Sequence, residues 1–366
     1  MATTYGKNIK LSIYGGSHDD IIGVRISGLP GGMSFRLTEL QKFMERRAPG
    51  RNNISTQRME PDIPEFLSGV IIDGDVARLD GTELHAIIRN RAQRSSDYSG
   101  TEFIPRPSHA DFAARMKYGE KADLRGGGHF SGRLTAPMCI VGGICLQHLK
   151  TLGIEIGSHI YSIGEIRDTP FDLANITVSD LETLRCRADF PVTDIAAGER
   201  MRCEIEAARA DGDSVGGIIE CAILGVRAGL GEHMFDGVEN RISWIVFGIP
   251  AVKGIEFGNG FESSKLRGSQ NNDRFVTDGL NIRTLTNNCG GILGGISDGM
   301  PIIFRAAIKP TPSIYIEQDS VDMVSMKPVK LSIKGRHDPC IVLRALPVFE
   351  AASAIAITDM LLDNNV

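Results

Sequence analysis

The stretch Val329-Lys-Leu-Ser-Ile-Lys-Gly335-Arg-His-Asp-Pro339-Cys-Ile-Val-Leu-Arg-Ala-Leu346-Pro-Val-Phe349-Glu-Ala-Ala352-Ser-Ala-Ile-Ala356 changes its hydrophobic period halfway. Upstream, Val329, Leu331 and Ile333 alternate with Lys330 and Ser332, the pattern of a half-buried strand. Downstream, Leu346, Phe349, Ala352 and Ala356 recur at helical spacing, and Pro347 suits a first helical turn. At the joint stand Arg336, His337 and Asp338. Asp338 precedes a proline, which pushes its backbone toward extended geometry and holds its carboxylate at a defined angle. Two readings fit these residues: a fixed site of chemistry at a strand-to-helix joint, or an Asx-type turn with Arg336 as a surface ion pair.

The same change of period recurs along the chain. Residues 21–27 read as a strand with Ile22, Val24 and Ile26 on one face, closed by the turn-forming run 28–32. A helix follows, with Thr38 and Gln41 at capping-box spacing and Arg46 and Arg47 in its last turn, where they suit the helix dipole. Residues 66–73, 82–88, 218–224 and 301–308 read as further strands. Residues 131–152, 193–210 and 239–248 read as helices, and Ser179 with Glu182 suggests another capped helix. Pro137 restricts or kinks the start of the 131–152 segment. No repeat of fixed period and no linker rich in Pro, Gly or Ser divides the chain, so residues 1–366 are expected to form one mixed α and β domain.

Composition narrows the function. The net charge is −5, there is no long basic tract and aromatics make up 6% of the chain, so no nucleic-acid or membrane footprint is visible. An anionic ligand must meet a local cluster of arginines instead. The 42 glycines in 366 residues exceed the usual share of about 7%, so many backbone positions need glycine. Seven scattered cysteines without C-x-x-C spacing suggest neither disulfides nor a zinc site, and no metal is expected. The N-terminus carries no leader pattern and no apolar run approaches the roughly 18 residues of a membrane span, so a cytoplasmic protein is expected.

Three polar constellations carry candidate chemistry. Gly15-Gly-Ser17-His18 places a histidine beside a serine in a glycine turn, exposed enough to exchange a proton near neutral pH. Arg106-Pro-Ser-His109-Ala-Asp111 sets another histidine on a restricted turn beside an arginine. Arg125-Gly-Gly-Gly-His129-Phe-Ser131-Gly-Arg133 runs three glycines into a helix start, presenting bare N–H groups to an anion with Arg133 one turn in. A flexible glycine loop is the plain alternative. The loops 287–295 and Lys309-Pro-Thr311-Pro-Ser313 add further donors, enough for two anionic ligands.

In this order and at these intervals the stretches resemble the chorismate synthase family over nearly the whole chain. The resemblance rests on Gly-Gly-Ser-His18, on Arg125-Gly-Gly-Gly followed by Ser131-Gly-Arg133, and on Gly335-Arg-His-Asp-Pro-Cys340. Segments 106–111, 212–217, 251–254 and 290–295 also fit. The resemblance implies an α+β fold, a sandwich with helices between antiparallel sheets, commonly as a homotetramer. It also implies a lyase that removes phosphate and a ring proton from 5-enolpyruvylshikimate 3-phosphate to give chorismate. Reduced FMN would be required without net redox change, and an external reductant would supply it. Position by position, it implies that His18 protonates the departing phosphate with Ser17 beside it, that His109 balances the negative charge of the reduced flavin, and that Asp338 assists the flavin N5 in taking the ring proton. Arg47, Arg106 and Arg133 would bind substrate. His129, Ser131, Ala251, Gly294, Lys309, Thr311, Ser313 and Arg336 would contact FMN.

The chain departs from the family pattern at Gly16, Asp19, His129, Phe130 and Asn53, where Arg51 lies close by. A catalytically dead relative should have lost His18, His109 or Asp338, and all three are present. An ordinary flavin oxidoreductase should show G-x-G-x-x-G after a strand, and none occurs in that setting.

Overall fold

Alternating Ile22, Val24 and Ile26 bury one face of the strand Ile21–Ser27, and that face looks onto a layer of helices. The computed structural model describes residues 2–48, 60–90, 103–187, 189–333 and 338–363. The strand is central in an antiparallel sheet of Ala2–Tyr5, Lys10–Gly15, Ile21–Ser27, Leu84–Arg89 and Glu65–Ser68, in that order. A second antiparallel sheet runs Ile166–Arg167, Glu155–Ile163, Gly217–Leu224, Ile302–Ile308 and Val252–Phe257.

Two helices fill the space between the sheets. Thr135–Thr151 packs on strands Ile21–Ser27 and Leu84–Arg89 of the first sheet. Val342–Leu361 packs on Glu155–Ile163 and Gly217–Leu224 of the second. The helices meet each other at Gly142, where an added Cβ would lie 2.2 Å from the Cβ of Ala351. Leu37–Arg47 and Val238–Phe247 flank this pair. The fold is therefore the expected α+β sandwich, with helices between antiparallel sheets.

Several local expectations change. The C-terminal helix has no solvent stripe: residues 345–360 are buried without a break. Its buried carboxylates are satisfied inside, Glu350 by Arg46 and Ser158, and Asp359 by the N–H groups of Asn8 and Ile9 and by Arg241. Arg46 thus serves a buried carboxylate rather than its own helix dipole. The helix starts at Val342, so Pro347 lies past the first turn and leaves the Leu343 carbonyl without its intrahelical donor. Thr38 forms no capping box; its N–H and hydroxyl both donate to Asp75 of a neighbouring hairpin. The next capping box is formed by Thr177 and Asp180, two residues before Ser179 and Glu182. Residues 66–73 are two strands, because Gly69, at φ 82°, turns the chain from the first sheet into a small three-stranded sheet. Pro137 falls in the first turn of Thr135–Thr151, where proline is tolerated.

One ion cluster ties the second sheet to its outer helices. His159, fully buried, donates from Nδ1 to Asp168 and from Nε2 to Glu220, both at 2.9 Å. Asp168 also accepts from the N–H groups of Thr193 and Asp194 at the start of the helix Ile195–Ala210. Burial alone would lower the pKa of His159, but the two carboxylates outweigh it and raise it. An imidazolium between two acids therefore stabilises the fold below the ordinary histidine pKa, and that contribution disappears as pH rises through the elevated one. His159→Ala should destabilise the protein by about 3–5 kcal/mol in denaturant titration near neutral pH. The gap from wild type should narrow at alkaline pH; a gap independent of pH would show that the imidazole is not held charged.

Candidate active site

The three glycines after Arg125 have φ of 57°, 93° and 50°, a left-handed run that L side chains rarely adopt. The loop they form threads between two histidines. A Cβ on Gly126 would lie 2.0 Å from Cε1 of His18, and one on Gly127 would lie 3.3 Å from Nε2 of His109. Consecutive glycines thus bring together two side chains far apart in sequence.

Each histidine is aimed by a neighbour. The hydroxyl of Ser17 donates to the carbonyl of Gly126 at 3.0 Å or of Arg125 at 3.1 Å, so toward His18 Nδ1, 3.2 Å away, it acts as acceptor. Nδ1 of His109 donates to Asp111 Oδ1 at 2.6 Å, which leaves Nε2 directed at Gly127. Asp111, the first residue of the helix Asp111–Tyr118, also receives Nε and Nη2 of Arg106 at 2.6 and 2.7 Å. Burial would raise the Asp111 pKa; the hydrogen bonds from Arg106 and His109 prevail and hold it well below the carboxylate range.

Arg47, from the end of the helix Leu37–Arg47, and Arg133, from the turn Gly132–Leu134, close on the two oxygens of one buried carboxylate, Asp62. Burial would raise the Asp62 pKa, but both guanidinium groups outweigh it and lower it. Arg47 is 2% exposed and also donates to Thr135 Oγ1 at 3.1 Å. Arg133 donates from Nε to Asn90 Oδ1 at 2.9 Å, while its buried Nη2 makes no hydrogen bond and lies 3.9 Å from Glu60. Asn90 in turn donates to the carbonyl of Asp19 at 2.7 Å, which links the turn carrying His18 to Arg133.

Asp338 Oδ2 pairs with Arg344 Nη1, and Arg344 Nε donates to the carbonyl of Arg47 at 3.2 Å. Its loop is fastened to the loop after Ile302–Ile308, since Thr311 donates to the carbonyl of Asp338 at 2.7 Å. Ser313 Oγ lies 3.5 Å from Arg106 Nη1, and the ammonium of Lys309 donates to the carbonyl of Ser108, the residue before His109. Lys309 is joined to Ala251 by its backbone N–H at 3.0 Å. Ser131 caps the turn carrying Arg133, and His129 donates from Nδ1 to the carbonyl of Gly15 at 2.6 Å. His18, Ser17, His109, Asp338, Arg106, Arg133, Ser131, His129, Lys309, Thr311, Ser313 and Ala251 thus belong to one connected set of loops. Gly294, in the hairpin of Ile292–Leu293 and Ile296–Ser297, is not tied to that set by the contacts above. Arg336, with Arg51 and Asn53, lies outside the described residues.

Sequence reading passed over Asp62, Asn90 and Arg344. Asp62 is one acid in an irregular, proline-bearing segment, and Asn90 and Arg344 stand at the edge of a strand and a helix without a motif around them. Asp111 was quoted only as part of a turn, although its spacing of two from His109 is the signal of a histidine oriented by a carboxylate.

The sequence profile of the chorismate synthase family matches residues 9–362. A chorismate synthase of Lancefieldella parvula is 46% identical over 99% of this chain and 96% of its own length. The chorismate synthase of Thermococcus kodakarensis is 43% identical over 98% of this chain and 97% of its own. A solved structure described as a crystal structure of chorismate synthase superposes with a TM-score of 0.75 at 27% identity, covering 98% of this chain and 93% of that one.

The loop geometry makes Gly126 a sensitive position. Gly126→Ala should lower thermal stability modestly, because φ of 57° strains an L residue, while leaving the protein folded, and its Cβ should displace the His18 imidazole. Turnover should then fall by about 10²-fold, the usual consequence of misplacing a catalytic group by an ångström. Wild-type turnover in a folded variant would show that the loop does not set the position of His18.

Proposed function

The chain belongs to the chorismate synthase family, lyases that form chorismate from 5-enolpyruvylshikimate 3-phosphate, and on that premise we propose how its own residues carry the reaction. In the elimination a ring C–H bond breaks, its electron pair becomes a new ring double bond, and the C–O bond to phosphate breaks. One group must therefore protonate or shield a leaving phosphate while another takes a proton. His18, with Ser17 accepting from its Nδ1, delivers a proton from Nε2 to the departing phosphate. Asp338, paired with Arg344 through Oδ2, would assist N5 of a bound flavin in taking the ring proton. His109, oriented by Asp111, places its Nε2 at the opposite side of the Gly126–Gly127 turn and balances negative charge there. The observation that carries this reading is the convergence of His18 and His109 on two adjacent glycines beside a cluster of arginines.

The substrate bears two carboxylates and a phosphate. Arg133, Arg106 and Arg47 supply charge-assisted donors to them, Arg47 and Arg133 from the two sides of Asp62. The donor set also suits FMN. Lys309 has its pKa lowered by burial and then by nearby Lys253, and two ammonium groups held close together suit a phosphate. Thr311 and Ser313 add hydroxyls, Ala251 a backbone turn at φ 74°, and Ser131 and His129 line the glycine loop; Gly294 and Arg336 complete the proposed contacts. Reduced FMN, when bound, supplies an electron-rich ring beside the breaking bonds and is regenerated, so the reaction has no net redox change.

The protein in this reading is cytoplasmic and homotetrameric, with an external reductant for the flavin. Free cysteines at all seven positions suit a reducing compartment, and no helix among the described residues is long and apolar enough to cross a membrane. Exposed Trp244 and Phe247 on the helix Val238–Phe247 offer apolar surface for subunit contact.

Purified protein with 5-enolpyruvylshikimate 3-phosphate should form chorismate, followed by absorbance, with catalytic amounts of reduced FMN and not with oxidised FMN. Full activity without flavin would contradict the assignment of the 309–313 loop. His18→Ala should lower turnover by about 10²–10⁴-fold with little change in substrate affinity, whereas Arg133→Ala should weaken binding as well. Asp338→Asn should fold and bind both ligands, yet show a larger isotope effect with substrate deuterated at the ring position that loses its proton. Wild-type turnover in Asp338→Asn would leave its carboxylate a purely structural role.

A further inference from the structure

The guanidinium groups in and around the proposed substrate site are already engaged by internal acids. Arg47 and Arg133 share Asp62 with Glu60 close by, Arg106 is held by Asp111, and Arg344 by Asp338. A ligand with three anionic groups entering this set meets as many carboxylates as cations. Two acids forced against a third anion in a water-poor site repel strongly, so binding requires that one internal acid give way.

Asp111, Asp338 and Asp62 are not equally fixed. Asp111 begins a helix and accepts from the backbone N–H of Arg106 as well as from its side chain. Asp338 is tied through its carbonyl to Thr311, and the next residue's carbonyl receives the N–H of Val215. Asp62 is different. It sits in residues 60–64, a segment without regular secondary structure in which Pro61 and Pro64 donate no backbone hydrogen bond. Its own φ is 48°, a left-handed conformation that strains a residue with a side chain, and the two arginines hold it there. Meanwhile Nη2 of Arg133, buried and without a hydrogen bond, remains as a donor at which an incoming oxygen can first land.

We infer that Asp62 is an internal stand-in for a substrate anion: it occupies the seat between Arg47 and Arg133 in the empty protein and is displaced when substrate binds, so that it sets substrate affinity. The inference rests on the reading that Arg133 faces substrate. The exchange keeps two buried guanidinium groups neutralised in both states, avoiding the repulsion they would suffer in an empty pocket. It also makes apparent affinity the product of intrinsic affinity and the fraction of protein with the seat open.

Hydrogen exchange on the wild-type protein decides the point without any substitution. With saturating 5-enolpyruvylshikimate 3-phosphate, the amides of Glu60, Asp62 and Ile63 should exchange faster by about tenfold or more, while those of the glycine loop 125–130 become slower. Unchanged or slower exchange at 60–63 overturns the displacement. Asp62→Asn, which keeps the shape but removes the competing charge, should lower KM by roughly fivefold or more, and a raised KM also overturns it. An Arg133→Ala protein binding substrate as well as wild type would overturn the site assignment beneath the inference. Normal dependence on Arg133 with residues 60–63 still protected overturns displacement alone.

Discussion

Two guanidinium groups closing on one buried carboxylate set the terms for this protein. Arg47, Arg133 and Asp62 are all buried, and they come from three separate stretches of chain: the end of a helix, the turn before another, and an irregular segment leading to a strand. A cation pair of this kind is tolerable inside a protein only if an anion neutralises it. That requirement draws the three stretches together and fixes the mouth of the glycine loop. Asn90 extends the same grip to the turn that carries His18.

The C-terminal helix does for the scaffold what this cluster does for the site. It runs between the sheets, is buried along nearly its whole length, and carries its few charged groups to defined partners. Arg344 receives Asp338 near its start, Glu350 binds Arg46 and Ser158 in its middle, and Asp359 gathers the start of the second strand and Arg241 near its end. The proposed acid, base and anion donors sit on loops, but the loops are anchored to elements that cannot shift without exposing apolar surface. The clamp of His159 by Asp168 and Glu220 lies on the second sheet and ties it to the start of the helix Ile195–Ala210.

Much of this was legible in the residues. Strands 21–27, 218–224 and 301–308 and the helices 193–210 and 239–248 follow from period and breakers: the first strand is buried on one face, the other two are short apolar runs, and Asp194 caps its own helix. The C-terminal helix was visible as a helix but not as a fully enclosed one, since alanines and small residues leave no polar stripe to read. Caps supplied from far along the chain, such as Asp75 for Thr38, leave no mark in a short window. The histidines, arginines and Asp338 were placed by resemblance to a family. Their meeting around Gly126 and Gly127 emerges only when the chain is folded. Asp62 had no signal of either kind, because its importance lies in which arginines reach it.

The central claim is that substrate and reduced flavin lie together in the space bounded by His18, His109, Asp338 and Arg133. A crystal structure of the protein with 5-enolpyruvylshikimate 3-phosphate and FMN tests it most directly. The expected result is substrate phosphate within hydrogen-bond reach of His18, a substrate anion on Arg133, and the flavin phosphate among Lys309, Thr311 and Ser313. Substrate bound with His18 and Arg133 both out of contact would contradict it.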